Sequence, residues 1–104
     1  MSRTFDGRHS QIREDRGLVL DFINAVFPRS IREEELIGVM LTLDEPVAKE
    51  YVQRDLGYLA ARGLIVSEVA DHRVRRREKV RRWKLTADGV TFVERDKPWD
   101  ELEC

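Results

Sequence analysis

Residues 72–84, HRVRRREKVRRWK, carry eight basic side chains and one acid, a formal +7 in a short stretch. Charge at that density belongs at a surface, because burying unpaired charge is very costly. The flanking runs fix how the chain presents it. Leu64 to Ala70 reads as a strand. Val80 to Thr86 reads as its partner, with Trp83 and Leu85 on one face and Arg82 and Lys84 on the other. Residues 71–79 form the long loop between them, so the basic segment is the projecting end of a β-hairpin.

The rest of the chain has the opposite charge. Outside the hairpin segment, eleven basic residues face nineteen acidic ones, a formal −8, so a net charge of −1 hides a strong asymmetry. Such a hairpin suits a polyanion. The chain has 104 residues, which implies one domain with room for a core. Hydrophobic content of 41% against 38% charged residues requires that core to be compact and the surface heavily charged. The apolar run from Leu36 to Leu43 is far below the roughly 20 residues of a membrane span. The opening MSRTFDGRHS lacks the apolar region of a signal peptide. The single cysteine, Cys104, can form no internal disulfide. Together these features predict a soluble, cytoplasmic protein.

Upstream of the hairpin the apolar spacing is helical. Ser10 is a candidate N-cap for a first helix, in which Leu18, Val19, Phe22, Ile23 and Val26 share one face and which Pro28 ends. Ser30-Ile31-Arg32-Glu33 fits a capping box opening a second helix, with Leu36, Ile37, Met40 and Leu41 as its stripe. A competing assignment makes residues 29–31 a short strand and starts that helix one or two residues later. After a turn at Asp44-Glu45-Pro46, with Asp44 as cap, a third helix is expected over 46–62. Its apolar arc collects Val47, Ala48, Tyr51, Val52, Leu56, Tyr58 and Leu59. Gly63 is the expected left-handed residue that closes it. After the hairpin, Thr86 caps a short last helix with Val90 and Val93 inward.

The order helix, helix, helix, strand, strand, helix is that of a winged helix-turn-helix. It is a mainly α fold with a three-helix core, a two-stranded wing and a short C-terminal helix. The expected domain covers 10–94, with 1–9 and 95–104 as flexible or partner-docking tails.

The chemistry follows from this layout. The second helix of a helix-turn-helix reads the major groove. On helix 46–62 the exposed arc carries Lys49 and Gln53, with Arg54 at its edge. Glutamine pairs with adenine and arginine with guanine through two bonds each, whereas Lys49 equally suits a phosphate. Glu50 on that arc repels phosphate. The wing, 71–84, supplies Arg73, Arg75, Arg76, Arg77, Lys79, Arg81 and Arg82 for phosphates or a narrow minor groove. Tyr51 and Tyr58 belong to the core or an interface rather than to a stacking platform.

No phosphate-cradling glycine loop, paired carboxylates in an apolar setting or Cys–His nucleophile is present, so no enzyme is expected. His9, His72 and Cys104 lack metal-ligand spacing, and neither a cofactor nor a small-molecule ligand is implied. Trp99, in the acidic tail RDKPWDELEC, is a candidate for docking on the domain or on a second subunit.

Residues 47–68, VAKEYVQRDLGYLAARGLIVSE, resemble the recognition helix and first wing strand of winged-helix regulators. The Leu85-Thr86-x-x-Gly89 pattern after the second strand resembles ArsR-type and MarR-type regulators. The Arg-Glu-Asp-Arg run at 13–16 and the Arg-Asp-Leu-x-x-Leu-Ala run at 54–60 resemble small winged-helix proteins of Mu-like bacteriophages and prophages. The resemblance spans about residues 12–94 and implies a regulatory role. The chain lacks the Cys and His clusters of metal-sensing ArsR-type proteins. The expectation is a homodimer that binds duplex DNA with helix 46–62 in the major groove. Alternatives are a protein-binding module whose basic wing engages an acidic partner, and an RNA-binding module.

Overall fold

The structure is a computed structural model and describes residues 7–71, 74, 77–95 and 101–102, with side chains from residue 11 onward. Helix α1 spans Gly7–Val26. A two-residue strand β1, Ile31–Arg32, leads directly into α2, Glu33–Leu41. Helix α3 spans Lys49–Ala61, and the hairpin consists of β2, Ile65–Asp71, and β3, Lys79–Leu85. Helix α4, Ala87–Val93, follows. The order and the helix-turn-helix with its wing are those of the expected fold.

The wing sheet has three strands rather than two. β1 pairs antiparallel with β3, giving the order β1-β3-β2. Ile31 stands opposite Trp83, and Ser67 flanks Trp83 on the other side. Of the two assignments for residues 29–33, a short strand replaces the capping box, but it lies at Ile31–Arg32 rather than at 29–31. Arg32 is the N-cap, with no side-chain cap bond. The two box residues have partners distant in sequence. Ser30 Oγ accepts from Arg82 Nε at 2.8 Å, and Glu33 Oε1 accepts from Trp83 Nε1 at 2.9 Å. Glu33, Glu34 and Glu35 still occupy the first turn, where the helix dipole favours them.

Two further helix starts differ from expectation. α1 begins at Gly7, so Ser10 lies inside it and is not its N-cap. A nucleated helix extends through polar residues at little cost, and nothing in Gly7–Ser10 stops it. α3 begins at Lys49 rather than near Pro46, with Ala48 as N-cap and no capping role for Asp44. The cause is a tertiary bond. The Val47 N–H donates to the Met40 carbonyl at 3.0 Å, tying the turn back onto α2 before α3 can start.

The core lies between the helices and one sheet face. Val19, Leu20 and Ile23 from α1 meet Leu36 and Met40 from α2 and Val52, Leu56 and Leu59 from α3. Ile65, Trp83 and Leu85 close it from the sheet. Tyr51 departs from the expected apolar arc and is 52% exposed. On α4 the fully buried residues are Gly89 and Phe92, while Val90 and Val93 only partly enter the core.

The junction of α3, hairpin and α4 is tightly built. Gly63 has φ +76°, the left-handed conformation that ends α3. Thr86 Oγ1 donates to the Gly63 carbonyl at 2.6 Å and accepts from the Gly89 N–H at 2.9 Å. The Thr86 N–H donates to the Leu64 carbonyl at 3.0 Å. A Cβ on Gly89 would lie 2.1 Å from that same carbonyl oxygen, so only glycine fits. The Leu-Thr-x-x-Gly pattern is therefore a strand-to-helix clamp.

Candidate nucleic-acid interface

The exposed side of α3 carries Lys49, Glu50, Gln53 and Arg54. α3 offers this side because Val52, Leu56 and Leu59 commit the opposite one to the core. Lys49 and Glu50 are exposed. Gln53 is exposed as well, and its Nε2 donates to Glu33 Oε2 at 3.4 Å. Arg54 is committed elsewhere. Its Nε and Nη2 both donate to Asp55 Oδ1, at 3.0 and 2.8 Å, and its guanidinium lies 5.0 Å from the Tyr51 ring centre.

The wing residues divide in the same way. Arg77 is exposed. Lys79 pairs across the loop end of the hairpin with Asp71, its register partner. Arg81 Nη1 donates to Ser67 Oγ at 3.2 Å. Arg82 is structural, since its fork holds both the hydroxyl and the carbonyl of Ser30 and so fastens β1 to β3. Arg73, Arg75 and Arg76, with His72 and Trp99, lie outside the described residues. The structure thus brings Lys49 and Gln53 together on one helix face. It ties Gln53 to the wing through Glu33, which also holds Trp83 on β3.

Acids cluster at the start of α2 and on the polar face of α3. Glu33, Glu34 and Glu35 fill the first turn of α2, and Glu50 sits beside Lys49. That cluster repels phosphates at the start of the helix that crosses the backbone in a helix-turn-helix complex.

Sequence reasoning did not single out one buried polar centre. Asp55 is fully buried, and Arg16 and Asp15 are each 3% exposed. Arg16 Nε lies 3.6 Å from Asp55 Oδ1, and the Arg16 guanidinium stacks 3.6 Å from the Tyr58 ring centre. Burial pushes the Asp55 carboxyl above its ordinary range, opposed chiefly by the hydrogen bonds and charge of Arg54. One signal was available. Asp55 follows Val52 by three residues, so it falls within the apolar stripe of α3. The runs 13–16 and 54–60 meet at this centre.

An open cleft of about 490 Å³ lies over the outer face of the sheet. It is lined by Val26, Pro28 and Ile31, by the cations Arg29, Arg82 and Lys84, and by Glu35 and Glu68. Its mixed charges single out no ligand chemistry. Among the described residues there is no group of three or more His, Cys, Asp or Glu side chains placed to hold a metal, and no helix long and apolar enough to cross a membrane.

No protein-family model matches the chain, and no curated protein matches it. It is similar to the crystal structure of a proposed transcriptional regulator from Thermoplasma acidophilum, with a TM-score of 0.62 and 20% identity over 78% of each chain. That likeness shows the fold alone.

Proposed function

We propose that this chain is a DNA-binding winged-helix regulator, of the general ArsR-like and MarR-like kind, that acts as a symmetric dimer. Helix α3 enters the major groove with Lys49 toward a phosphate and Gln53 toward a base edge. The wing arginines Arg73, Arg75, Arg76 and Arg77 run along the adjacent backbone. The observation that carries this reading is the coupling of two surfaces. The polar face of α3 and the root of a +7 hairpin are joined through one carboxylate, so both reach the same ligand. Arg54 and Arg82 are set aside as DNA ligands, because both hold the fold together.

The test is binding to random-sequence duplex DNA across a salt series. Changing Arg73, Arg75, Arg76 and Arg77 to alanine should weaken binding to all duplexes alike. The log–log salt slope should fall by about 0.9 for every phosphate that the wing no longer neutralises. Unchanged affinity and slope would remove the wing from the interface. Sedimentation at micromolar concentration should show a dimer, which suits two half-sites.

The acids Glu33, Glu34, Glu35 and Glu50 oppose a polyanion along α3, which leaves a second reading in which the wing alone engages the ligand. In it the module binds protein, and the basic wing grips an acidic partner. Retention of an acidic polypeptide together with no duplex binding at low salt would select it.

A further inference from the structure

We infer that Glu33 sets the base that α3 prefers, by fixing the Gln53 amide so that it reads adenine and rejects guanine. This rests on the DNA-binding reading above and deepens it.

The geometry begins in the core. Trp83 is 7% exposed on β3, and its indole N–H donates to Glu33 Oε1 at 2.9 Å. That bond holds the carboxylate at the first position of α2. The second oxygen, Oε2, faces Gln53 Nε2 at 3.4 Å. Even at this length the interaction selects one amide orientation. Turning the amide over would set Gln53 Oε1 against Oε2, and two acceptors without a proton between them repel.

A glutamine amide has two N–H donors and one acceptor oxygen. Glu33 engages one donor. One N–H and Oε1 remain for the groove. In the major groove adenine offers the N7 acceptor and the N6 amino donor, which match that pair. Guanine offers O6 and N7, both acceptors, and needs both amide protons. Glu33 has already engaged one of them. Glu33 touches no base in this scheme and is a positioning residue.

The experiment selects bound sequences from a random duplex library. It then measures direct competition between two duplexes that differ by adenine or guanine at one position. That position is the one whose preference disappears in Gln53→Ala. The wild type should prefer adenine there. Glu33→Ala should keep the rest of the motif but reduce the adenine-over-guanine ratio at this position by ~10-fold. Trp83→Phe removes the hydrogen bond that orients the carboxylate and should reduce the same ratio, by a smaller factor than Glu33→Ala. A competition ratio does not depend on the fraction of folded protein, so diminished stability alone cannot move it. An unchanged ratio in Glu33→Ala overturns the inference, as does a wild-type preference for guanine at that position. A wild type that selects no motif overturns the specific DNA-binding reading itself, a separate and recognisable result.

Discussion

Among the described residues, a carboxylate removed from water is the most demanding group. Asp55 is 0% exposed and sits against Arg16, whose side chain is 4% exposed. Truncating one member of a buried pair leaves the other charge without compensation. Asp55→Ala should therefore cost about 3–5 kcal/mol, measured by chemical denaturation. The pH response has a definite sign. Burial raises the folded-state pKa of Asp55 above its unfolded value. Between the two values the folded chain retains a proton that the unfolded chain has released. The contribution of this group to stability thus falls as pH rises through that window. The stability difference between wild type and Asp55→Asn should show that slope, and a difference independent of pH would refute it. Gly89 is demanding for a steric reason. Gly89→Ala would press a methyl group onto the Leu64 carbonyl and should cost about 1–3 kcal/mol in the same assay.

Among the elements, the hairpin and α4 depend on one threonine. Thr86 caps α4 and also holds Gly63, the residue at which the chain leaves α3. Thr86→Ala should destabilise by about 1–2 kcal/mol, at the upper end for a cap, because it removes two bonds at once. Thr86→Ser keeps the hydroxyl and should recover most of that stability in thermal unfolding. The loop end of the hairpin behaves differently. Its Lys79–Asp71 pair is exposed on both sides and contributes little to stability. Arg82, by contrast, fastens β1 to the sheet.

At the scale of the whole molecule, Leu102 near the C-terminus belongs to the core. Leu102 is fully buried. Arg16 donates to its carbonyl at 2.7 Å, Arg62 donates to the Glu101 carbonyl, and Arg95 pairs with the Glu101 carboxylate at 2.7 Å. Three elements, α1, α3 and the end of α4, thus converge on one short segment. Leu102→Ala should cost about 2–5 kcal/mol and lower the midpoint of cooperative unfolding. A midpoint within error of wild type would show that the segment does not dock. Local information in the sequence determined the helix stripes, the left-handed Gly63, the Thr86 cap and the alternation that buries Trp83 and Leu85. Each depends on neighbours within a few residues, where periodicity and backbone sterics suffice. Only the tertiary structure decided the third strand, the late start of α3, the pairing of Asp55 with Arg16 and the docking of Leu102. It also decided that Arg54 and Arg82 serve the fold, while Gln53 faces outward beside Glu33. The polar groups involved take whichever partner the packing supplies. Ser30 and Arg82 are 52 residues apart, and Glu33 and Trp83 are 50, separations at which no local pattern specifies a bond.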